Sequence, residues 1–388
     1  MLSYNKHFIT KADIKNVSKS LKSNLITKGS FLKKFEKKIS TCFKSKYCVV
    51  TSNATSSFFI ISKVLNWGKK DNIIISPMTF VAAANSVVSS NANLIFLDIS
   101  KKDQIIDPDL VEKKIIELKK KKKKISAIIV TDYAGTPADW KKFYKLKKKY
   151  RLTLINDNCH AIGSKYYNDI GYASKYADIV IHSYHPVKNI TSGEGGSILT
   201  NNKKIYNDCL IIREHGFFKK KNHKIWERDI YISGYNSRLS ELNCALGYSQ
   251  LTRIKKIIQE RQKIAFYYNK YFSDHKFIKI MKLNSYAKSS YHLYYLMIDF
   301  KNLKINKSKF FHYLKKKYKI ILQVHYVPTY KFKLFKKFVK KTDVIKKFPN
   351  TEKYYEETFS IPLYIDLSKK KILYICRAIE KTILALKK

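Results

Sequence analysis

The sequence predicts an α/β fold: a large domain whose mostly parallel sheet lies between helices, followed by a smaller C-terminal α+β domain. Three observations carry this expectation. Short runs that are apolar throughout alternate with amphipathic stretches over the first two thirds of the chain. Strands without a polar face need cover on both sides, which helices between them supply. After about residue 275 the texture changes to fewer, more separated strands. With 388 residues, 45% of them hydrophobic, the chain has material for two cores. The domains are drawn at 1–272 and 273–388.

The elements follow in order. Strands are expected at 47–51, 72–76, 93–98, 126–132, 152–157, 178–183 and 196–200, and helical patterns at 54–65, 79–88, 107–118 and 137–150. Asp107 before Pro108 is a strong helix start, because Asp caps and Pro suits the first turn. A long helical region covers 237–272, with Leu239, Leu242, Leu246 and Leu251 at helical spacings. The smaller domain should contain strands at 292–298 and 320–324.

Lys and Arg number 78 against 29 acidic residues, a formal charge of +49, yet only seven of the basic residues are Arg. Nucleic-acid readers lean on Arg for bidentate contacts and gather charge on one face. A Lys bias spread through every segment, beside many Ile, Asn, Tyr and Phe, is that of a solvated surface. The run from Lys119 to Lys124 is such a connection. No nucleic-acid partner is expected, although the excess should concentrate anionic substrates.

Six cysteines show no C-x-x-C pair, as expected of reduced thiols. No signal-peptide core opens the chain and no run is long and apolar enough to span a membrane, so a cytoplasmic protein without a membrane partner is expected. No H-E-x-x-H or paired-Cys spacing supports a metal site.

Three stretches place polar groups where an α/β sheet binds ligands, at the carboxyl ends of its strands. Ser52 to Ser57 runs from a strand into a helix; alone such a stretch is more often only an N-cap than an anion site. Asp157 ends an apolar strand, and a buried carboxylate is costly unless a cation or strong donors meet it. Lys188 lies between a buried strand and the Gly-rich turn Gly193-Glu194-Gly195-Gly196, in a chain with only 11 Gly. A desolvated lysine has a lowered pKa and can form a Schiff base.

In sequence order, Asp157-x-x-His160, Ser183-x-His185-x-x-Lys188-x-Ile190-Thr191 and the Gly-rich turn resemble the DegT/StrS-type sugar aminotransferases, pyridoxal-phosphate enzymes of aminotransferase fold type I. Asn53-Ala54-Thr55-Ser56, Pro77-x-Thr79-Phe80-Val81-Ala82, Asp132-Tyr133-Ala134-Gly135, Arg213-x-His215-Gly216 and Tyr235-Asn236-x-Arg238 extend the likeness, which runs from about Tyr4 to Ile361-Pro362-Leu363. Asn156, Asn158 and Cys159 depart from it, standing where many relatives have an acidic residue and two small ones. His182 and Tyr184 stand where Phe is frequent.

The resemblance implies a role for each matching residue. Lys188 would be the Schiff-base lysine and proton shuttle, and Asp157 the carboxylate facing the pyridine nitrogen. His160 would lie near the ring's phenolic oxygen, Phe80 would stack on the ring, and Ala54, Thr55 and Ser183 would cradle the phosphate. Asn236 would reach in from a neighbouring subunit of a homodimer. Substrate contacts would fall at Tyr4, at Asn24, Leu25, Ile26 and Thr27, and at Gln323, Val324, His325 and Tyr326, with Ala54, Ser183 and Asn236 shared. The implied partners are L-glutamate and a UDP-linked 4-keto-6-deoxy-N-acetylhexosamine. The alternative is another nucleotide-linked keto sugar, of the 4-amino-4-deoxyarabinose, perosamine or bacillosamine type. A sugar 3-dehydratase of the same fold is disfavoured, because there His replaces the lysine.

Overall fold

Runs of Ile, Val and Leu without polar alternation become the centre of the molecule. The computed structural model describes residues 1–218, 224 and 226–387. Seven strands form the main sheet: β1 (Tyr47–Thr51), β2 (Asn72–Ile75), β3 (Asn93–Phe96), β4 (Ile125–Thr131), β5 (Thr153–Asp157) and, after a ribbon strand β6 (Lys165–Tyr166), β7 (Ile179–Ser183) and β8 (Gly196–Thr200). Each falls within two residues of its expected bounds.

Across the sheet the order is β1-β8-β7-β5-β4-β2-β3. From β3 through β2, β4 and β5 to β7 every pairing is parallel, whereas β8 runs antiparallel to both its neighbours. The mostly parallel sheet is therefore present, with one reversed strand. Strand alternation divides the core in two: Ile74, Ile128 and Leu154 belong to one apolar cluster, and Ile73, Ile75, Ile129 and Ile155 to the other. Each such side chain, taken wholly out of water, contributes about 1.5–3 kcal/mol.

The helix Pro108–Lys120 starts as expected, with the Asp107 carboxylate accepting from Asp109 N–H at 2.9 Å. The expected helix over 237–272 is two helices, Glu241–Thr252 and Ile254–Phe272. They part at Arg253, whose guanidinium pairs with Asp13 at 2.5 Å.

Beyond residue 272 a three-stranded antiparallel sheet forms from β11 (Ile278–Ile280), β13 (Tyr294–Ile298) and β14 (Thr358–Ile361). Between these, β12 (Ala287–Lys288) pairs with β6; earlier in the chain β9 (Phe217–Phe218) and β10 (Asp229–Ile230) form a separate antiparallel pair. The expected strand at 320–324 is absent. Its backbone changes partner midway: Ile321 N–H bonds Leu2 O at 2.9 Å, but Gln323 bonds Ser360. Neither partner is held long enough to build a ladder, and β14 takes the place beside β13. No helix among the described residues is long and apolar enough to cross a membrane.

Candidate active site

The carboxyl ends of β4, β5 and β7, the loop leading into β8 and the start of the helix Ala54–Val64 converge on a cavity of about 590 Å³. Lys188, Asp157, His160, Ser183, Ala54, Thr55, Phe80 and Tyr4 line it, and Gln323, Val324, His325 and Tyr326 close it from the far side.

Asp157 is the last residue of β5. Its Oδ2 accepts the hydroxyls of Thr79 (3.3 Å) and Thr131 (3.2 Å), and its Oδ1 accepts the Cys159 N–H at 3.2 Å. Thr131 is its register partner on β4, so the donor beside it comes from sheet geometry. These partners are all neutral. A buried carboxylate met only by neutral donors suits a cationic group on its open side.

Lys188 stands on the loop joining β7 to β8, whose feet pair at Ser183 and Gly196. Tyr184 pins the loop: its N–H bonds Gly195 O at 2.8 Å, its carbonyl accepts Ser192 N–H at 2.9 Å, and its hydroxyl meets Ser197 Oγ at 2.7 Å. Gly193 takes φ +81° at the turn, a left-handed conformation that favours glycine. The half-buried Lys188 amine is pulled below its ordinary range by desolvation, with Cys159 and Asp157 opposing. A larger neutral fraction makes it a better nucleophile.

An anion site lies opposite. Asn53 caps the helix Ala54–Val64, its side chain accepting from Ser56 N–H at 2.8 Å while its carbonyl takes Ser57 N–H at 3.2 Å. The Ala54 and Thr55 amides are left without a partner among the described residues, beside the Ser183 hydroxyl. Open amides at the positive end of a helix bind phosphate. Gly196 makes the approach possible, since a Cβ there would lie 2.5 Å from Ala54 N.

His160 accepts Ala134 N–H at Nδ1 (3.3 Å), and its Nε2 lies 2.9 Å from the Tyr326 hydroxyl. Its ring packs against His292 at 4.3 Å between centroids. Burial pulls both imidazoles well below their ordinary range, and the charge of Lys188 adds to this at each. Burial also pushes His325 down to about 3. Phe80, 57% exposed at the rim, offers a bare aromatic face for a planar ligand.

Five expected residues do not reach this cavity within the chain. Asn24, Leu25, Ile26 and Thr27 form an exposed stretch, and Asn236 is exposed as well. They nevertheless share one surface. Ile26 O accepts Glu241 N–H at 3.0 Å, Lys28 pairs with Glu214, and Glu214 bridges Asn236. Leu25 and Ile26 are 59% and 53% exposed there.

The sequence left several cavity residues without a role: Thr79 and Thr131, which hold Asp157, together with Cys159, His185, Glu194 and His292. Thr79 lies inside a quoted motif, but its meeting with Asp157 depends on the spacing of separate strands. Among the described residues no group of three or more His, Cys, Asp or Glu could hold a metal.

The residues present fit pyridoxal phosphate: an amine of lowered pKa, a carboxylate whose hydrogen-bond donors among the described residues are neutral, open helix-start amides and an exposed aromatic ring face one cavity.

Known proteins give the same reading. The family described as DegT/DnrJ/EryC1/StrS aminotransferase matches residues 7–380. A UDP-4-amino-4,6-dideoxy-N-acetyl-beta-L-altrosamine transaminase from Campylobacter jejuni subsp. jejuni serotype O:2 is 33% identical over 376 residues, covering 97% of this chain and 96% of its own. Among solved structures, Helicobacter pylori PseC, an aminotransferase involved in the biosynthesis of pseudoaminic acid, superposes with TM-score 0.89 at 29% identity, covering 99% of both chains. Spr1654 from Streptococcus pneumoniae, in its PMP-form, gives TM-score 0.87 at 25% identity over 99% of both chains.

Proposed function

The chain belongs to the DegT/DnrJ/EryC1/StrS aminotransferase family, and from that premise we propose that it is a pyridoxal-phosphate transaminase carrying the amino group of L-glutamate to C4 of a UDP-linked 4-keto-6-deoxy-N-acetylhexosamine. The product would be UDP-4-amino-4,6-dideoxy-N-acetyl-β-L-altrosamine, on the way to pseudaminic acid. The carrying observation is that Lys188 and Asp157 face one cavity that also receives the open amides of Ala54 and Thr55.

Bound pyridoxal phosphate would supply an electron sink through its protonated ring nitrogen. The chain's residues do the rest. Asp157, held by Thr79, Thr131 and the Cys159 amide, keeps that nitrogen protonated. Lys188 would hold the cofactor through its amine and would be the group that moves a proton at the reacting carbon. Ala54, Thr55 and Ser183 hold the phosphate, and Phe80 covers the ring face. Gln323 to Tyr326 and Tyr4 orient the sugar and narrow the way for water.

A homodimer with shared sites is part of this reading. The surface carrying Asn24 to Thr27 and Asn236 supports it, because those residues stand together, exposed, beside the apolar Leu25 and Ile26. The surplus of lysine would draw in the nucleotide's diphosphate.

The deciding experiment incubates the purified holoenzyme with UDP- and dTDP-linked 4-keto sugars and L-glutamate, and identifies the aminated product by mass and NMR. Amination of the UDP-linked N-acetylhexosamine at C4, lost in Lys188→Ala, is expected. Turnover by Lys188→Ala, or amination of a different keto sugar only, overturns the corresponding part of the reading.

A further inference from the structure

We propose that Asp132 is the positioning residue for Asp157, clamping from the opposite face of the sheet the strand end that presents Asp157 to the cofactor. The inference rests on the role given to Asp157 above.

Side chains alternate along a strand, so Asn156 and Asn158 point away from the cavity that Asp157 faces. Both send their amide NH₂ to the same oxygen, Oδ2 of Asp132, each at 3.0 Å. The backbone N–H of Asp132 also donates to the carbonyl of Asp157 at 3.1 Å. One residue thus holds three consecutive positions, 156, 157 and 158.

Asp132 is itself immobilised. Tyr172 donates its hydroxyl to Oδ2 at 2.6 Å, while Ala138 N–H (2.8 Å) and Trp140 Nε1 (3.0 Å) donate to Oδ1. Asn158 also donates to the Tyr172 hydroxyl at 2.9 Å, closing a ring of contacts. All these side chains are buried, and every donor to the carboxylate is neutral. Burial accordingly lifts the Asp132 pKa to about 6 even though the hydrogen bonds from Tyr172, Ala138, Asn156 and Trp140 oppose it.

The direction of the network separates a clamp from ordinary core polarity. Among the described residues Asn156 uses only its NH₂ end, and its buried Oδ1 has no partner there. A carboxylate at 156 would face that of Asp132 at hydrogen-bond distance, so the amide there and the acid at 132 form a complementary pair. The angle at which Asp157 leaves β5 therefore depends on a contact made behind the sheet.

The test uses purified holoenzyme, measuring the dissociation constant of pyridoxal phosphate, its visible band, and kcat and KM for L-glutamate. Asp132→Asn should weaken cofactor binding and lower kcat by about ten- to a hundredfold, with KM moved less than about twofold, as expected when a reacting group is misaligned. Asp132→Asn combined with Asn156→Asp exchanges acid and amide across the same contact and should recover most of both losses. If Asp132→Asn does not fold, Asn158→Ala removes one arm and should show the same kcat-weighted loss. Wild-type cofactor affinity and kcat in the variant measured, or no recovery in the double variant, overturns the clamp. Asp157→Asn runs alongside: if it leaves spectrum and rate unchanged, the role given to Asp157 fails, whereas a severe Asp157→Asn with a silent Asp132→Asn rejects the clamp alone.

Discussion

Nε2 of His160 lies 2.9 Å from the hydroxyl of Tyr326, and the direction of that hydrogen bond is set at the other end of the imidazole. Ala134 N–H can only donate, and it reaches Nδ1 at 3.3 Å. Burial keeps the ring neutral, so the hydrogen-bond pattern assigns its one proton to Nε2, which gives it to Tyr326. The phenol then has its own proton to offer the cavity. Tyr326→Phe should retain the fold and the cofactor while losing about tenfold in kcat/KM for the keto sugar. Steady-state kinetics decide it, and an unchanged kcat/KM would mean that the hydroxyl touches nothing in the reaction.

Gly196 allows β8 to begin directly beneath the helix start. A Cβ there would meet Ala54 N and the Asn53 carbonyl carbon, both at 2.5 Å, and backbone atoms cannot step aside as a flexible side chain can. Gly196→Ala should therefore displace the Ala54 and Thr55 amides and weaken pyridoxal-phosphate binding by more than about tenfold. Fluorescence titration of the apoenzyme measures this directly.

His182 is buried inside β7, its ring 4.7 Å from Phe43 and its Nδ1 3.4 Å from the Tyr184 hydroxyl. Burial pushes its pKa down to about 3, against about 6.5 in the unfolded chain. As pH falls below about 6.5 the unfolded chain takes up a proton that the folded chain refuses. The stability associated with the neutral ring is thus fully present above that value and is lost as pH falls toward 3. By about pH 5 the loss amounts to about 2 kcal/mol. His182→Phe should abolish this part of the acid sensitivity without affecting transamination, since Tyr184 keeps Ser197 at 2.7 Å. Denaturant unfolding of both proteins at about pH 7.5 and about pH 5 tests the sign and the size.

If Asn236 serves the partner's site, two defective variants should complement each other. Lys188→Ala and Asn236→Ala, dissociated together and reassembled, should recover about a quarter of wild-type activity, because half of the dimers are mixed and each holds one intact site. Activity no higher than that of the two variants measured apart would place Asn236 outside the shared site.

The main sheet was legible because its strands are apolar on both faces and short, a pattern that helices cannot share. Asp157 and Lys188 stand out in the sequence as a carboxylate ending an apolar strand and an amine between such a strand and a Gly-rich turn, and the structure brings both to one cavity. The strand expected at 320–324 failed because apolar composition does not reveal that its backbone would be divided between Leu2 and Ser360. Thr131 and Thr79 went unread because their contact with Asp157 is a matter of register between β4 and β5 and of a loop leaving β2. In the sequence Asn156 and Asn158 stand only as departures from the family pattern. Their purpose needed Asp132, which stands 24 and 26 positions away in the chain.

The reversal of β8 has a mechanical consequence. Because it runs against β7, the segment bearing Lys188 leaves the sheet and returns to it between adjacent, mutually bonded residues, Ser183 and Gly196. Inside those feet Tyr184 ties the span again, to Gly195, to Ser192 and to Ser197. The reach of the Lys188 amine is thus set from a hydrogen-bonded base by the rotations of its own methylene chain.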